Sequence, residues 1–265
     1  MEKDYFSLVL FTVLSQTAAG GLILREILLH SDLDYQISKE FRVLSLFITG
    51  IIIALALGAA FMHLGKQVNA VHSLRNLRSS WLSREILFII IFSATVLLYW
   101  LNEKFWNIQV LNSILSFTGL LAGAGLLTSM SAIYMLPAVP SWNSMITPIS
   151  FLITSAAGAV SLLVLLNAFC GCVTAKTLLA ILAFAVILSL ITSGFMFSYI
   201  KESGLLVFFI IRILMGLITL ILIFLNYLNT FPNKMTALSV LFTTVLLTEM
   251  AGRVIFFLNY HKSGL

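Results

Sequence analysis

Two ionisable residues bound the longest polar interval in this amino-acid sequence. His63 begins the interval, Glu85 ends it, and the chain is apolar on both sides. An imidazole titrates close to neutral pH, and a suitably placed carboxylate can accept a proton from a bound molecule. At a boundary between lipid and water, such a pair predicts proton transfer from a lipid-soluble substrate that carries hydroxyl groups.

Quinol oxidation fits this pair. A quinol loses two protons as it loses two electrons, so we expect Glu85 to accept one proton and His63 to bond or accept the other. Ser83 is a suitable N-cap, which would place Glu85 in the first turn of a helix, where the helix dipole favours an ionised carboxylate. The structural alternative is that Glu85 only complements the helix terminus and that His63 only anchors the protein at the membrane interface.

Further charged residues stand within apolar segments. Arg212 lies inside one segment, and Glu249 and Arg253 lie four residues apart in another, which places them on one helix face. Charges inside a membrane are costly unless they are paired, and they often mark function. These three residues predict either a structural clamp or a path for protons or quinone. Arg25 and Glu26 lie nearer a membrane face, where we expect their side chains to snorkel to the surface.

The composition is that of an integral membrane protein. Of the 265 residues, 60% are hydrophobic and 9% are charged, whereas a soluble domain has about 25% charged residues. The net charge of +5 is scattered along the sequence. Because no basic cluster with interleaved aromatic residues is present, we expect a lipid bilayer and not a nucleic acid as partner.

Eight apolar stretches reach the length of about 20 residues that a membrane span requires. They are continuously apolar and do not alternate, which favours helices over the strands of a barrel. The sequence therefore predicts an all-α integral membrane protein, an eight-transmembrane-helix bundle with one domain over residues 1–265. The first stretch is interpreted as a membrane helix and not as a cleaved signal. The predicted spans are 6–28, 43–62, 85–101, 110–133, 148–169, 177–199, 205–227 and 236–258.

The histidines and cysteines do not form a recognisable metal-binding pattern. Only one of the four histidines lies at the end of a predicted span. The four are His30, His63, His72 and His261. Cys170 and Cys172 are too few for a zinc or iron–sulfur site, which needs about four ligands. We therefore expect no haem and no metal centre in this protein.

Residues along most of the sequence resemble one family of membrane proteins. The most specific pattern is His-Leu-Gly followed, at the end of the polar interval, by Leu-Ser-x-Glu-Ile. The protein resembles the membrane anchor subunit, or C subunit, of the dimethyl sulfoxide reductase complexes, which are molybdoenzymes. The matching residues are His63, Leu64, Gly65, Ala70, Ser73, Leu74, Ser80, Leu82, Ser83, Glu85, Ile86, Tyr134, Val139, Pro140, Trp142, Thr147, Pro148, Glu249, Gly252, Arg253 and the segment FTVLSQTAAGG near the N-terminus.

The resemblance implies a function in anaerobic respiration. It implies an anchor that oxidises menaquinol and passes the electrons to a four-cluster iron–sulfur subunit, which is bound to a molybdopterin catalytic subunit. The protein would then be the quinol-oxidising part of an oxidoreductase complex, without a redox metal of its own. The positions of His63 and Glu85 correspond to the quinol site of the family. Arg75 and Arg78 are candidates for stabilising the partly oxidised quinol anion or for contacting the iron–sulfur subunit, and Ser83 and Tyr134 are further candidates for quinol or partner contact.

The resemblance also implies an orientation in the membrane. It predicts a multi-pass protein of the bacterial inner membrane with both termini and the 63–85 interval on the outer, periplasmic side. The distribution of lysine and arginine favours the opposite orientation weakly, but this preference comes from the one interval that we expect to meet a partner, so we follow the resemblance. The sequence departs from the family pattern at Lys66 and Gln67, where the family often has proline, and at His72 and Trp81.

Two alternatives remain open. The protein could be a secondary transporter that moves a small anion or a proton along Arg212, Glu249 and Arg253. It could also be an anchor whose complex reduces another oxide or sulfur compound, because the terminal acceptor would bind to a different subunit.

Overall fold

The computed structural model describes residues 2–30, 38–63, 74–171, 176–197 and 203–259, without the side chains of residues 2–4, 63, 196 and 203. All regular structure in these ranges is helical. Each of the eight long helices coincides with a predicted apolar stretch and can cross a membrane by its length and composition, so the all-α prediction is confirmed. The helices are α1 (Glu2–Leu29), α2 (Lys39–His63), α3 (Trp81–Leu101), α4 (Gln109–Tyr134), α5 (Ile146–Phe169), α6 (Lys176–Phe197), α7 (Ser203–Tyr227) and α8 (Lys234–Leu258).

The helices pack as two groups of four with the same order of neighbours. In the first group, α1 contacts α2, α2 contacts α3, α3 contacts α4, and α4 returns to α1. The same ring of contacts recurs from α5 to α8, and the two groups meet mainly where α1 packs along α5. Consecutive helices with short connections run antiparallel. One end of the bundle therefore holds the start of α3, here called the Glu85 end, and the other holds the end of α3, here called the Lys104 end.

Small residues bring α1 and α5 close together. A Cβ atom added to Gly20 of α1 would lie 2.6 Å from the carbonyl oxygen of Ser155 in α5, and a Cβ at Gly158 of α5 would meet the side chain of Thr17 in α1. Close approach of this kind is how helices associate in a membrane, where burial of apolar surface gives little driving force. Gly20 and Gly158 therefore serve the packing of α1 against α5.

A π-helical turn over Asn102–Trp106 joins α3 to α4. It ends at Asn107, which has a φ of 51°, a left-handed conformation that asparagine tolerates better than most residues. The side chain of Asn102 accepts a hydrogen bond from the Ile108 amide at 3.2 Å and donates one to the Ile108 carbonyl at 3.0 Å. These bonds fix the start of α4, and the turn carries Glu103 into the interior, where it is 2% exposed.

The connection from α4 to α5 is fastened to the end of α8. The Trp142 indole donates to the Phe256 carbonyl at 2.8 Å, and the Ser141 hydroxyl donates to the Asn259 carbonyl at 2.8 Å. Pro148 is the third residue of α5, where the missing N–H has no partner within the helix in any case. The first group of helices therefore feeds directly into the second at the Glu85 end.

Candidate functional site

Glu85 lies one helical turn further into α3 than the sequence predicts. The N-cap is Ser80, whose hydroxyl oxygen accepts a hydrogen bond from the Ser83 amide at 3.3 Å. The prediction that Ser83 is the N-cap is therefore wrong, because α3 already begins at Trp81. Glu85 is its fifth residue and sits beyond the first turn, where the helix dipole acts most strongly.

The side chain of Glu85 is buried near the start of α3. Glu85 is 7% exposed, and it makes no hydrogen bond or ion pair with any residue that the structure describes. Tyr134, at the end of α4, lies within electrostatic reach of both Glu85 and Arg253. A buried carboxylate without a hydrogen-bond donor is costly, so Glu85 is a candidate to meet a ligand among the described residues of this end.

Arg84 holds the segment before α3 against the helix. Its guanidinium donates to the carbonyl oxygens of Leu77 and Arg78, each at 2.9 Å, and lies 4.1 Å from the centroid of the Trp81 ring. Arg75 and Arg78 are both exposed on this segment. The structure thus presents two predicted cations on the surface of the Glu85 end, close in sequence to the buried carboxylate.

The second member of the predicted pair is only partly described. His63 is the last residue of α2, and α2 packs against α3. Its backbone therefore belongs to the Glu85 end. The side chain of His63 and residues 64–73, which include His72, lie outside the described residues.

Glu249 is the centre of a buried polar cluster between the helices of the second group. The Thr154 hydroxyl donates to Glu249 Oε2 at 2.6 Å, and the Ser189 hydroxyl donates to Oε1 at 2.6 Å. The Thr154 hydroxyl has a further acceptor in the Ser150 carbonyl at 3.0 Å. Three helices, α5, α6 and α8, are connected through this one carboxylate.

Both arginines reach Glu249 through these hydroxyls. Arg253 donates to the Thr154 hydroxyl oxygen at 3.2 Å, and Arg212 donates to the Ser189 hydroxyl oxygen at 2.9 Å. Neither arginine forms a direct ion pair with Glu249 among the described residues. The sequence correctly places Glu249 and Arg253 on one helix face, and each arginine is linked to Glu249 through a single hydroxyl group.

The cluster extends into the first group of helices. Arg253 donates to Gln16 Oε1 at 2.9 Å and lies 3.7 Å from the centroid of the Phe151 ring. Gly252 leaves room for Arg212, because a Cβ at this position would meet its guanidinium. The cluster thus touches α1, α5, α6, α7 and α8. Sequence reasoning missed Gln16, although a Ser-Gln-Thr run within the apolar first span was a usable signal.

A second buried ionic network occupies the Lys104 end. Arg25 and Glu26 are 1% and 2% exposed and form an ion pair. Arg25 lies 3.7 Å from Glu103, and Arg42 lies 3.5 Å from the same carboxylate. The expectation that Arg25 and Glu26 snorkel to the surface is wrong, because α2, α4 and the end of α3 enclose this part of α1.

Polar residues from neighbouring helices complete this network. Glu26 Oε2 accepts hydrogen bonds from the Ser116 hydroxyl at 2.5 Å and from the Tyr99 hydroxyl at 3.3 Å. Arg25 Nε donates to the Ser45 hydroxyl oxygen at 3.0 Å. The network therefore ties together all four helices of the first group.

Metal ligands do not converge in the described part of the protein, where no group of three or more His, Cys, Asp or Glu side chains could hold an ion. Cys170 is partly buried, and Cys172 lies outside the described residues. That the protein holds no metal or haem stays a prediction.

Known proteins match the sequence over different lengths. It is 29% identical over 156 residues to the C subunit of anaerobic dimethyl sulfoxide reductase from Haemophilus influenzae, covering 58% of this chain and 56% of that protein. It is 30% identical over 151 residues to chain YnfH of anaerobic dimethyl sulfoxide reductase from Escherichia coli K12, covering 56% of this chain and 52% of that protein. The C subunit of anaerobic dimethyl sulfoxide reductase from E. coli K12 is 29% identical over 167 residues, covering 62% of this chain and 58% of that protein. The chain thus spans somewhat more than half the length of these curated relatives.

The match to the family as a whole is longer. The family described as DMSO reductase anchor subunit (DmsC) matches residues 1–258, which include all eight long helices. The resemblance inferred from the motifs is therefore confirmed, and the protein is a multi-pass membrane protein. This chain belongs to the DMSO reductase anchor subunit (DmsC) family.

Proposed function

We propose that the protein is the membrane anchor of an anaerobic respiratory molybdoenzyme, and that it oxidises menaquinol and passes the electrons to an iron–sulfur partner subunit. That subunit would deliver them to a molybdopterin catalytic subunit. Membership of the anchor subunit family supports this role. We further propose that the protein lies in the bacterial inner membrane with both termini and the Glu85 end on the periplasmic side.

The observation that carries the proposal is the buried carboxylate of Glu85, to which no described residue bonds. Menaquinol supplies two electrons and two protons, and each hydroxyl proton needs an acceptor as the electrons leave. Glu85 accepts the first proton, because no described side chain occupies its oxygen atoms. His63, at the end of the adjacent helix α2, bonds the other hydroxyl group and accepts its proton.

Tyr134 and Ser83 are proposed to orient the quinol. The phenol of Tyr134 interacts electrostatically with Glu85, and a tyrosine hydroxyl can both donate and accept a hydrogen bond. Ser83 is 1% exposed, which suits a group facing the interior better than one touching a partner. Both residues therefore position the quinol and take no part in the electron transfer itself.

Arg75 and Arg78 are proposed to contact the iron–sulfur subunit. Both are exposed at the Glu85 end, and Trp81 and Leu82 beside them are 41% and 51% exposed. Exposed cations next to exposed apolar side chains are typical of a protein interface, in which Arg and aromatic residues are enriched. A subunit bound there would be close to the quinol from which it receives electrons.

The cluster of Arg212, Glu249 and Arg253 is proposed to be a structural clamp. Both carboxylate oxygens of Glu249 accept hydrogen bonds from hydroxyl groups on other helices, so the carboxylate is held in place and is not left free to exchange protons. The transporter alternative makes a different prediction. It requires this protein alone to move a small anion or protons across sealed vesicles.

The test is purification of the native complex through this subunit, followed by metal analysis and reconstitution. We expect molybdenum and iron in the complex, and menaquinol oxidation only when the iron–sulfur subunit is bound. A protein that purifies without these metals and transports ions by itself would contradict the anchor function and support the transporter.

A further inference from the structure

A cleft of about 500 Å³ opens at the Lys104 end, far from the proposed quinol site. It lies between the start of α2 and the π-helical turn after α3. Lys39 and Glu40 line it from α2, and Trp100 and Lys104 line it from the other side. The cleft therefore combines a charged rim with the membrane-facing side of two helices.

The wall of the cleft is apolar and accessible. Phe47 is 45% exposed, and its ring centroid lies 5.5 Å from that of Trp100. Val43 and Leu44 extend the same wall along α2. Aromatic residues at the ends of membrane helices are typical of the interfacial region, where one part of the side chain meets lipid tails and another meets head groups.

The rim carries two exposed lysines. Lys39 and Lys104 are exposed, and neither forms an ion pair within the described ranges. The Lys104 ammonium lies 4.9 Å from the centroid of the Trp100 ring, which fixes it over the wall of the cleft. Glu40 is the one acidic residue among the described lining residues, and together these residues carry a net positive charge.

The π-helical turn separates Lys104 from the acidic residue next to it in sequence. Glu103 is its neighbour in sequence, but Glu103 is turned inward, where Arg25 and Arg42 lie within 3.7 Å of its carboxylate. Glu103 is 2% exposed whereas Lys104 is exposed. The turn thus separates two adjacent opposite charges and leaves the cation at the membrane surface. π-Helical turns are frequent at functional sites.

We propose that this cleft binds one anionic phospholipid. Lys39 and Lys104 hold its phosphate group, and an acyl tail lies along Phe47 and Trp100. Basic residues at a membrane surface attract anionic lipids, and lysines keep their ammonium groups at head-group level while their methylene groups remain in the apolar layer. The proposal concerns the end of the bundle opposite the quinol site and holds whether or not the protein oxidises quinol.

The test is native mass spectrometry of the full-length protein in detergent, titrated with phosphatidylglycerol or with phosphatidylcholine of the same acyl tails. We expect one phosphatidylglycerol to bind more tightly than phosphatidylcholine. Lys39→Gln and Lys104→Gln should each weaken phosphatidylglycerol binding about fivefold, as expected for one basic residue near a lipid surface. The double variant should bind both lipids equally.

Lys176→Gln is the matched control. Lys176 begins α6 at the same end of the bundle, and its ammonium also lies over an aromatic ring, 4.8 Å from the centroid of Tyr227. It lies outside the cleft, so its substitution should leave the affinity unchanged. The double variant with Lys39→Arg and Lys104→Arg should retain the preference for phosphatidylglycerol. It tests the proposal if the glutamine variants fold poorly.

Three results would overturn the proposal. The first is equal binding of the two lipids by the unchanged protein, and the second is full retention of phosphatidylglycerol by the double glutamine variant. The third is displacement of bound phosphatidylglycerol by a long-tailed quinone, which would assign the cleft to the quinone instead.

Discussion

Glu249 and Arg253 share one face of α8 without a direct ion pair between them, and the Thr154 hydroxyl connects them. This oxygen lies 2.6 Å from Glu249 Oε2 and 3.2 Å from Arg253 Nη2. The connection runs through α5, so a charge pair within one helix has become a contact between two helices. Arg212 and Ser189 repeat the arrangement on the other side of Glu249.

Thr154→Val should therefore destabilise the bundle. Valine keeps the shape of threonine but removes the hydroxyl, which leaves one oxygen of Glu249 and one donor of Arg253 without this partner. A buried polar group that loses its partner costs about 1–3 kcal/mol. The loss of stability is measured as the decrease in the free energy of unfolding when the protein in mixed micelles is titrated with dodecyl sulfate. Thr128→Val is the control, because Thr128 is exposed and its hydroxyl donates to the Ala124 carbonyl of its own helix. Equal stability of the two variants would contradict the bridging role of Thr154.

Gly20→Ala should weaken the contact between α1 and α5. The added methyl group would lie 2.6 Å from the Ser155 carbonyl oxygen, and a backbone atom cannot move aside without moving its helix. Overpacking of this kind costs about 1–3 kcal/mol, which the same unfolding titration would detect. Gly58→Ala on α2 is the control, since nothing lies within 4 Å of a Cβ at that position. If both alanine variants unfold at the same dodecyl sulfate concentration, the close contact at Gly20 does not contribute to the stability of the bundle.

Arg84→Lys should loosen the segment before α3 while keeping the charge. Arg84 bonds the Leu77 and Arg78 carbonyls with two different nitrogen atoms, and a lysine cannot reproduce this fork. We expect amide hydrogen exchange over residues 74–80 to rise about tenfold, as expected for the loss of one charge-assisted bond. Amides of residues 135–145, at the same end of the bundle, provide the internal control. Unchanged exchange over residues 74–80 would show that Arg84 does not hold the segment.

The span positions follow from the sequence because apolar length is a local property. The start of α3 does not follow so directly. The charged Arg84 suggests a later start, but its side chain turns back onto the preceding segment and the helix begins at Trp81. Ser80 and Ser83 are equally good caps by residue type, and only the backbone path chooses between them.

The buried charges depend on tertiary contacts that no local pattern contains. Glu103 follows an apolar run and has the position of a surface residue, yet the π-helical turn brings it to Arg25. The proximity of Tyr134 to Glu85 likewise requires α3 and α4 to be packed. The motif around Glu85 indicates a functional site, whereas the burial of Glu85 depends on how the helices pack.

Menaquinol-driven electron transfer by the assembled complex with Glu85→Gln is the most direct test of the proposed function. Glutamine keeps the size and polarity of the side chain but cannot take up a proton, so we expect the menaquinol-driven rate to fall about 100-fold or more. The rate driven by an artificial donor that reduces the partner subunits directly should stay unchanged, as should both rates in Glu40→Gln at the other end of the bundle. An unchanged menaquinol-driven rate in Glu85→Gln would remove Glu85 from the reaction and contradict the proposed function of this site.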